Sequence, residues 1–319
     1  MLAGRERAEV ETLAAAEEFV LPRRPGWLAL VGRFVRRKPL GAFGLAVVLV
    51  MAAAAAGAPW LCRYDAEEAF RVANPAYLPG SVEPEERLDS RSGPSWEHWF
   101  GTDQFGRDNY SRVVWGARRS LGVGLGALLF AIIFGTTIGI VSAYFRGWLD
   151  MVVQRIMDSI QAFPPMLVLL LLVSLTERNL ITLTMGLGFV VITGAQRIVR
   201  SAVLSAREDP HVEAARAIGC SPFRLMAVHI LPNVAAPIII IFSIGIASVI
   251  LAEAALAFLN LAPIEPPSWG MMLDEGRRYM TSQPSTMLVG GAAITLTVMG
   301  FNLAGDALRD ILDPRIRLT

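Results

Sequence analysis

The sequence predicts an all-α, polytopic membrane protein with six transmembrane helices, and three observations carry that prediction. The 319 residues are 54% hydrophobic, with a mean hydropathy of +0.48, too apolar for a water-soluble domain of this length. Six apolar blocks are each about 20 residues long, enough for a helix to cross roughly 30 Å of hydrocarbon. Arginine-bearing polar segments separate most of the blocks, and the basic flank of the first block sets the orientation.

Residues 1–39 are polar, acidic at first, and end on Arg33, Arg36, Arg37 and Lys38, which places them in the cytoplasm. Within them, residues 25–37 fit an interfacial amphipathic helix, and residues 1–24 fit equally a disordered leader. Leu40–Leu61 is the first span. Its run Ala52–Ala58 mimics a signal-peptidase site, but the polar leader is too long for the n-region of a signal peptide. Residues 62–118 form a long polar loop outside the membrane. Near its end, Gly101 and Gly106 permit turns, Asp108 can cap the following helix, and Asp108 and Arg112 stand at i,i+4 spacing, placed to pair. Physical chemistry alone reads this stretch as a well-capped turn.

Residues 119–308 hold the remaining five spans. Ser120–Ala143 is the second, with Gly122 and Gly126 forming a small-residue face suited to close helix packing. Arg118 and Arg119 just before it run against the positive-inside tendency, whereas Arg146 and Arg155 after it agree with it. Val152–Leu175 is the third span, broken by Pro164-Pro165, which is either a bend lining a path or a structural kink at the cytoplasmic end. Thr176–Asn179 makes an outer turn, Leu180–Ile198 is the fourth span, and residues 199–233 return to the cytoplasm. Val234–Phe258, the fifth span, carries Glu253 inside its apolar run. An intramembrane carboxylate is a candidate for the translocation path, but one near the outer end can also simply reach water. Residues 259–286 are external, where Trp269 and Tyr279 suit a membrane interface. Met287–Leu308 is the sixth span, with Asn302 near its end as a further path candidate, and residues 309–319 form a cytoplasmic tail.

Several function classes are excluded. Lys+Arg number 29 against Asp+Glu 28, so bulk affinity for nucleic acid is not expected. Lys38 is the sole lysine and Pro39 follows it, so the chain has no G-x-x-x-x-G-K-[ST] phosphate loop, and any ATP that drives it binds elsewhere. Cys62 and Cys220, with His98, His211 and His229, make neither a metal cluster nor a zinc-protease motif, and no metal is expected.

The segment Asp209–Pro232, DPHVEAARAIGCSPFRLMAVHILP, organises the rest. Asp209 is a good N-cap and Pro210 suits the first helical position. Glu213 lies near the positive end of that helix, Ala214 and Ala215 favour helix with little bulk, and Gly219 stops it. Ser221-Pro222 starts a second helix that ends before Pro232. Two short helices joined at a glycine make a compact knob, which either docks a soluble partner or is a solvated loop that binds nothing.

The spacing Glu213-Ala214-Ala215, Gly219, Leu231-Pro232 resembles the EAA loop of ABC importer permeases, and His229–Asn233 resembles their peptide-importer branch. Independently, Gly101, Thr102, Asp103, Gly106, Arg107 and Asp108 in FGTDQFGRD are similar to the outer-loop motif of the dipeptide/oligopeptide/nickel permease family. Ser268-Trp269-Gly270, Glu275-Gly276-Arg277 and the ending Asn302–Asp306 resemble it as well. The resemblance covers nearly all the chain after residue 36. It implies the type I ABC importer permease fold in a bacterial or archaeal cytoplasmic (inner) membrane, with both termini inside. It also implies half of a translocation path for di- or oligopeptides, with nickel, glutathione or sugar as alternatives. The partners implied are a homologous second permease, two ATPase subunits that bind ATP and Mg, an extracytoplasmic binding protein and membrane lipid. No cofactor is expected on this chain itself, and the EAA residues would couple ATP hydrolysis to transport. Two rival readings are a stand-alone secondary transporter or channel with Glu253 as its ion site, and an intramembrane enzyme, which lacks any recognisable nucleophile–base pair.

Overall fold

A computed structural model of the protein describes residues 34–74, 86–90 and 92–312. Residues 34–37 are helical, and the remainder of the expected 25–37 helix, like the leader and the residues after 312, lies outside the described residues. Residues 1–39 form a unit separate from Leu40–Thr319.

From Pro39 onward most of the described residues are helical, the main exception being the stretch between Leu61 and Asn109. Helix α1 is Pro39–Leu61. A short antiparallel pair, β1 (Arg71–Ala73) and β2 (Glu86–Leu88), follows, with Arg71 opposite Leu88. Helix α2 (Asn109–Phe145) has 37 residues. Next come α3 (Gly147–Gln161), α4 (Pro165–Leu175) and α5 (Leu180–Ala206). Then come α6 (Pro210–Ala217), α7 (Pro222–Arg224), a π-helical turn (Leu225–Ile230) and α8 (Ala235–Phe258). Helices α9 (Trp269–Arg277) and α10 (Ser285–Leu312) complete the order.

Among the described residues, α1, α2, α5, α8 and α10 are long and apolar enough to cross a membrane, and α3 with α4 makes a sixth span only if the two count as one. The break expected in the third span is sharp. Pro164-Pro165 does not merely kink it, because α3 and α4 meet at 88°. Pro165 lacks a donor and Pro164 is held at φ −54, ψ 130, so the helix cannot run through.

The second span is also longer than its apolar block. Asp108 caps α2 by accepting from the Ser111 amide at 2.8 Å, so the helix begins at Asn109 and carries Arg112 and Arg119 inside it. Close packing against α5 uses one of the two glycines expected, Gly126, where a Cβ would press on Thr184 of α5 at 3.0 Å, and others besides. A Cβ on Gly122 would meet nothing within 4 Å, whereas one on Gly135 would press on Ala195 and the Gln196 backbone at 3.0 and 3.2 Å. Gly139 likewise faces the Gln196 carbonyl at 3.0 Å, and Gly188 of α5 faces the Ala127 carbonyl at 2.7 Å. These contacts make α2 and α5 the central pair on which the other helices are laid.

Candidate functional site

The loop after α5 is built as the sequence predicts, with one difference. Pro210 opens α6 behind Asp209, which occupies the cap position without a side-chain cap bond. At the far end Gly219 has φ +84, a backbone that favours glycine. The Cys220 amide donates to the Ala215 carbonyl at 3.1 Å and the Gly219 amide to Arg216 at 3.0 Å, the double closure of a Schellman C-cap. Ser221 caps α7 by accepting from the Arg224 amide. The next turn is wide, with the Leu231 amide donating five residues back to Met226 at 2.9 Å.

Val212, Ala215, Leu225 and Ile230 are buried against Ile140 and Ala143 of α2 and Val199 and Val203 of α5. Glu213, Ala214, Gly219, Leu231 and Pro232 are exposed, as are Ile218 (82%), Phe223 (77%) and Val228. The knob is therefore anchored by one apolar face and presents another. Arg207 donates to the Ala143 and Tyr144 carbonyls at 3.1 and 3.0 Å, satisfying the end of α2, and Arg146 bridges to Glu208 at 2.7 Å. His211 and Asn233 meet at 2.8 Å and tie the two ends of the loop together.

At the opposite ends of α2 and α8, the outer-loop residues form one ionic cluster. Asp103, buried, accepts from the Phe105 and Arg107 amides at 2.8 and 2.9 Å and from the Arg107 and Arg112 side chains at 2.7 Å each. Arg112 and Arg107 both reach Glu275 of α9, at 2.5 and 2.8 Å, and Arg107 also meets Glu67 at 2.6 Å. Burial alone would raise the Glu275 carboxyl, but the Arg112 charge, then the Arg112 hydrogen bond and Arg107, hold it below the usual carboxylate range. Burial works against the Arg107 cation, and Asp103, Glu275 and Glu67 outweigh it and raise its pKa. The expected Asp108–Arg112 pair is absent. Asp108 is taken by Ser111 and by His98 at 3.0 Å, and Arg112 turns to Asp103 and Glu275. Thr102 accepts from the Ser92 amide at 2.9 Å, and Gly101 and Gly106 take φ +70 and +75. In geometry this stretch is a capped, ion-paired turn.

Glu253 does not reach water. It is fully buried, its carboxylate lies 3.7 Å from the Arg119 guanidinium, and Ser120 donates to it at 3.1 Å. Arg119 also donates to the Pro266 carbonyl and so pins the α8–α9 connection to α2. Trp269 is likewise interior rather than at a membrane interface. It is 1% exposed, and its indole N–H donates to the Val113 carbonyl at 2.9 Å.

Between α4, α5 and α8 opens a cleft of about 1150 Å³. Its walls are mostly apolar, including Leu187, Ile198, Ile244 and Val249, with Thr193, Ser248 and Arg309 as polar points. Of the four residues proposed for the path, Pro165 lines this cleft. Pro164 stands at the bend beside it, Glu253 is buried and does not line it, and Asn302 faces a separate groove of about 400 Å³. Sequence reading missed the Arg119–Glu253 pairing, although each charge was anomalous alone; two misplaced charges of opposite sign on different spans were the signal. The Glu275 contacts, 163 and 168 residues distant, had no local signal.

A family model described as binding-protein-dependent transport system inner membrane component matches residues 135–318. The chain is 45% identical over 235 residues, 73% of its length and 76% of the relative's, to a dipeptide transport system permease protein of Alkalihalophilus pseudofirmus. It is 35% identical over 295 residues, 92% of its length and 93% of the relative's, to a glutathione transport system permease protein of Pectobacterium atrosepticum. Among solved structures it is similar in fold to the inward-facing MetNI methionine ABC transporter, with a TM-score of 0.53 and 18% identity, covering 63% of this chain and 96% of that one.

Proposed function

The chain belongs to the binding-protein-dependent transport system inner membrane component family, and from that premise we propose that it forms one half of the path by which an importer admits short peptides. It is a multi-pass ABC importer permease subunit with the type I fold, a transport component. The observation that carries the mechanism is the knob at Asp209–Pro232, anchored on α2 and α5 and presenting Ile218, Phe223 and Val228 outward.

In this reading two partner ATPases bind ATP and Mg, and one of them grips the exposed side of the knob. Glu213, Ala214, Ala215, Gly219, Leu231 and Pro232 shape it. A push on the knob passes through Val212, Ala215, Leu225 and Ile230 into α2 and α5 together. A homologous permease completes the path, an extracytoplasmic binding protein delivers the cargo, and both termini are cytoplasmic. The chain holds no cofactor of its own. The apolar cleft beside Pro165 supports a permissive path, in which backbone and apolar side chains of different peptides pass without a fixed charged site. Glutathione is itself a tripeptide, so the relative named for it supports the same cargo class.

The test is uptake of radiolabelled dipeptides and of glutathione by cells that lack this chain and by the same cells complemented with it. Uptake of a peptide restored only on complementation supports the reading. Unchanged uptake of both, with loss of nickel or sugar uptake instead, refutes the peptide assignment.

A further inference from the structure

Helix α3 turns its polar side inward and its apolar side outward. Asp150 accepts from Arg200 of α5 through both oxygens, at 2.7 and 2.6 Å, and Asp158 accepts from Arg197 at 2.8 Å. Met157 packs on Ala131 of α2 and Ile192 of α5. On the other side Trp148 (72% exposed), Met151, Val152 and Ile156 stand open, spaced i, i+3, i+4 and i+8 as a helical stripe. Arg155 is exposed at i+7 in the same stripe and is its one charged residue. Exposed to water, such a stripe would be a costly apolar patch.

The ion pairs also fix how α3 lies. From Asp150 to Asp158 it advances eight residues, about 12 Å, whereas its partners Arg200 and Arg197 are three residues apart, about 4.5 Å along α5. Helix α3 therefore crosses α5 obliquely, and the chain then turns 88° into α4. At 11 residues α4 is about 16 Å long, roughly half the hydrocarbon thickness. The start of α3 adjoins Arg146, which pairs with Glu208 at the entry to the knob, so α3 belongs to the membrane face that carries the knob.

We propose that α3 lies in the headgroup boundary on that face, with the Trp148–Ile156 stripe in the acyl region and Arg155 on the phosphate of an anionic phospholipid. The stripe offers acyl chains an apolar face whose one charge is the Arg155 cation, and the acid three residues on, Asp158, is paired with Arg197 at 2.8 Å. The two acids of α3, Asp150 turned inward and Asp158 at its edge, are each paired with an arginine of α5, which offsets their repulsion of the headgroup.

The experiment uses the full chain, with the subunits that copurify with it, in nanodiscs of phosphatidylethanolamine with or without phosphatidylglycerol. Nitroxide labels are placed singly through Trp148→Cys, Val152→Cys and Ile156→Cys, each in a Cys62→Ser, Cys220→Ser background. Depth is read from collisions with oxygen and with a nickel chelate. The expected result is strong oxygen collision at all three sites, with the depths of 148 and 156 within about 5 Å. A difference near 12 Å, that of an upright helix, overturns the proposal. Weak collision with both reagents also overturns it, because the face is then covered by protein. For the headgroup, the fluorescence of Trp148, taken as the difference from Trp148→Phe, is quenched by brominated lipids. Brominated phosphatidylglycerol is expected to be favoured about fivefold over brominated phosphatidylcholine, and Arg155→Gln to equalise them. Equal quenching in the unsubstituted chain overturns the anionic-lipid assignment.

Discussion

Replacing Arg112 by Met tests what holds the outer loop to the helices. The side chain is fully buried and contacts two carboxylates, Asp103 at 2.7 Å and Glu275 at 2.5 Å. Met keeps most of the apolar volume and removes the charge. Breaking a buried pair by deleting one partner costs about 3–5 kcal/mol, because the abandoned charge cannot reach water. Arg107 still serves Asp103 and Glu275, at 2.7 and 2.8 Å, which places the cost at the low end, about 3 kcal/mol. At about 2 °C per kcal/mol for a chain of this size, the melting midpoint of the purified protein falls by about 6 °C. Limited proteolysis is expected to cut first between residues 62 and 108, the segment that the cluster ties to α9. A midpoint within a degree of the parent, with the same cleavage pattern, would show that the cluster does not hold the loop.

The acid response follows from Glu275, whose folded-state pKa is depressed. Its contribution is full above the unfolded value of about 4.3 and is lost as pH falls through the folded value, so the midpoint should be flat from pH 6 to 8 and drop below about pH 4. Glu213→Lys, at an exposed position, should change stability by no more than about 0.5 kcal/mol, a midpoint shift of about 1 °C, and abolish peptide uptake while ATP hydrolysis continues. Normal uptake would sink the coupling role. Glu253→Gln strands Arg119 and should cost about 3–5 kcal/mol, whereas Glu253→Leu with Arg119→Met removes both charges and should cost only the lost Pro266 hydrogen bond, about 1–2 kcal/mol, a contrast read from the two melting curves. Burial pushes the Cys62 thiol up to about 11, so its maleimide labelling at pH 8 should run more than about a hundredfold slower than that of a free thiol.

Local signals made much of this molecule legible. Asp108, Gly219 and Ser221-Pro222 specify caps and stops through bonds that span only a few residues, and the structure follows them. Apolar blocks long enough to cross a membrane identified the five long helices. Where reading failed, distant geometry decided. Gly122 and Gly126 looked like the packing face, but which glycines meet a neighbour depends on the rotation of α2 against α5, which places Gly126, Gly135 and Gly139 there and leaves Gly122 open. Trp269 suited an interface by type, yet the α8–α9 connection folds it back onto Gly116 and Val113. Residues 152–161 were absorbed into a span because their apolar content is high. Their period, with Asp150, Gln154 and Asp158 on one side, also marks an amphipathic helix, which the apolar content masked. Of the candidate site, the knob was readable because it is contiguous, while the cleft was not, because four helices and the α3–α4 bend contribute its walls.

The central claim is that this chain transmits the work of ATP-hydrolysing partners through the Asp209–Pro232 knob. The most direct measurement is purification of the tagged chain from its native membrane in mild detergent, with mass spectrometry of the proteins retained, repeated with Phe223→Asp on the exposed side of the knob. The account predicts a second permease and P-loop ATPases with the parent chain, and loss of the ATPases alone with the variant. A chain that purifies alone, stable and monodisperse, and carries a proton-dependent flux by itself would contradict it.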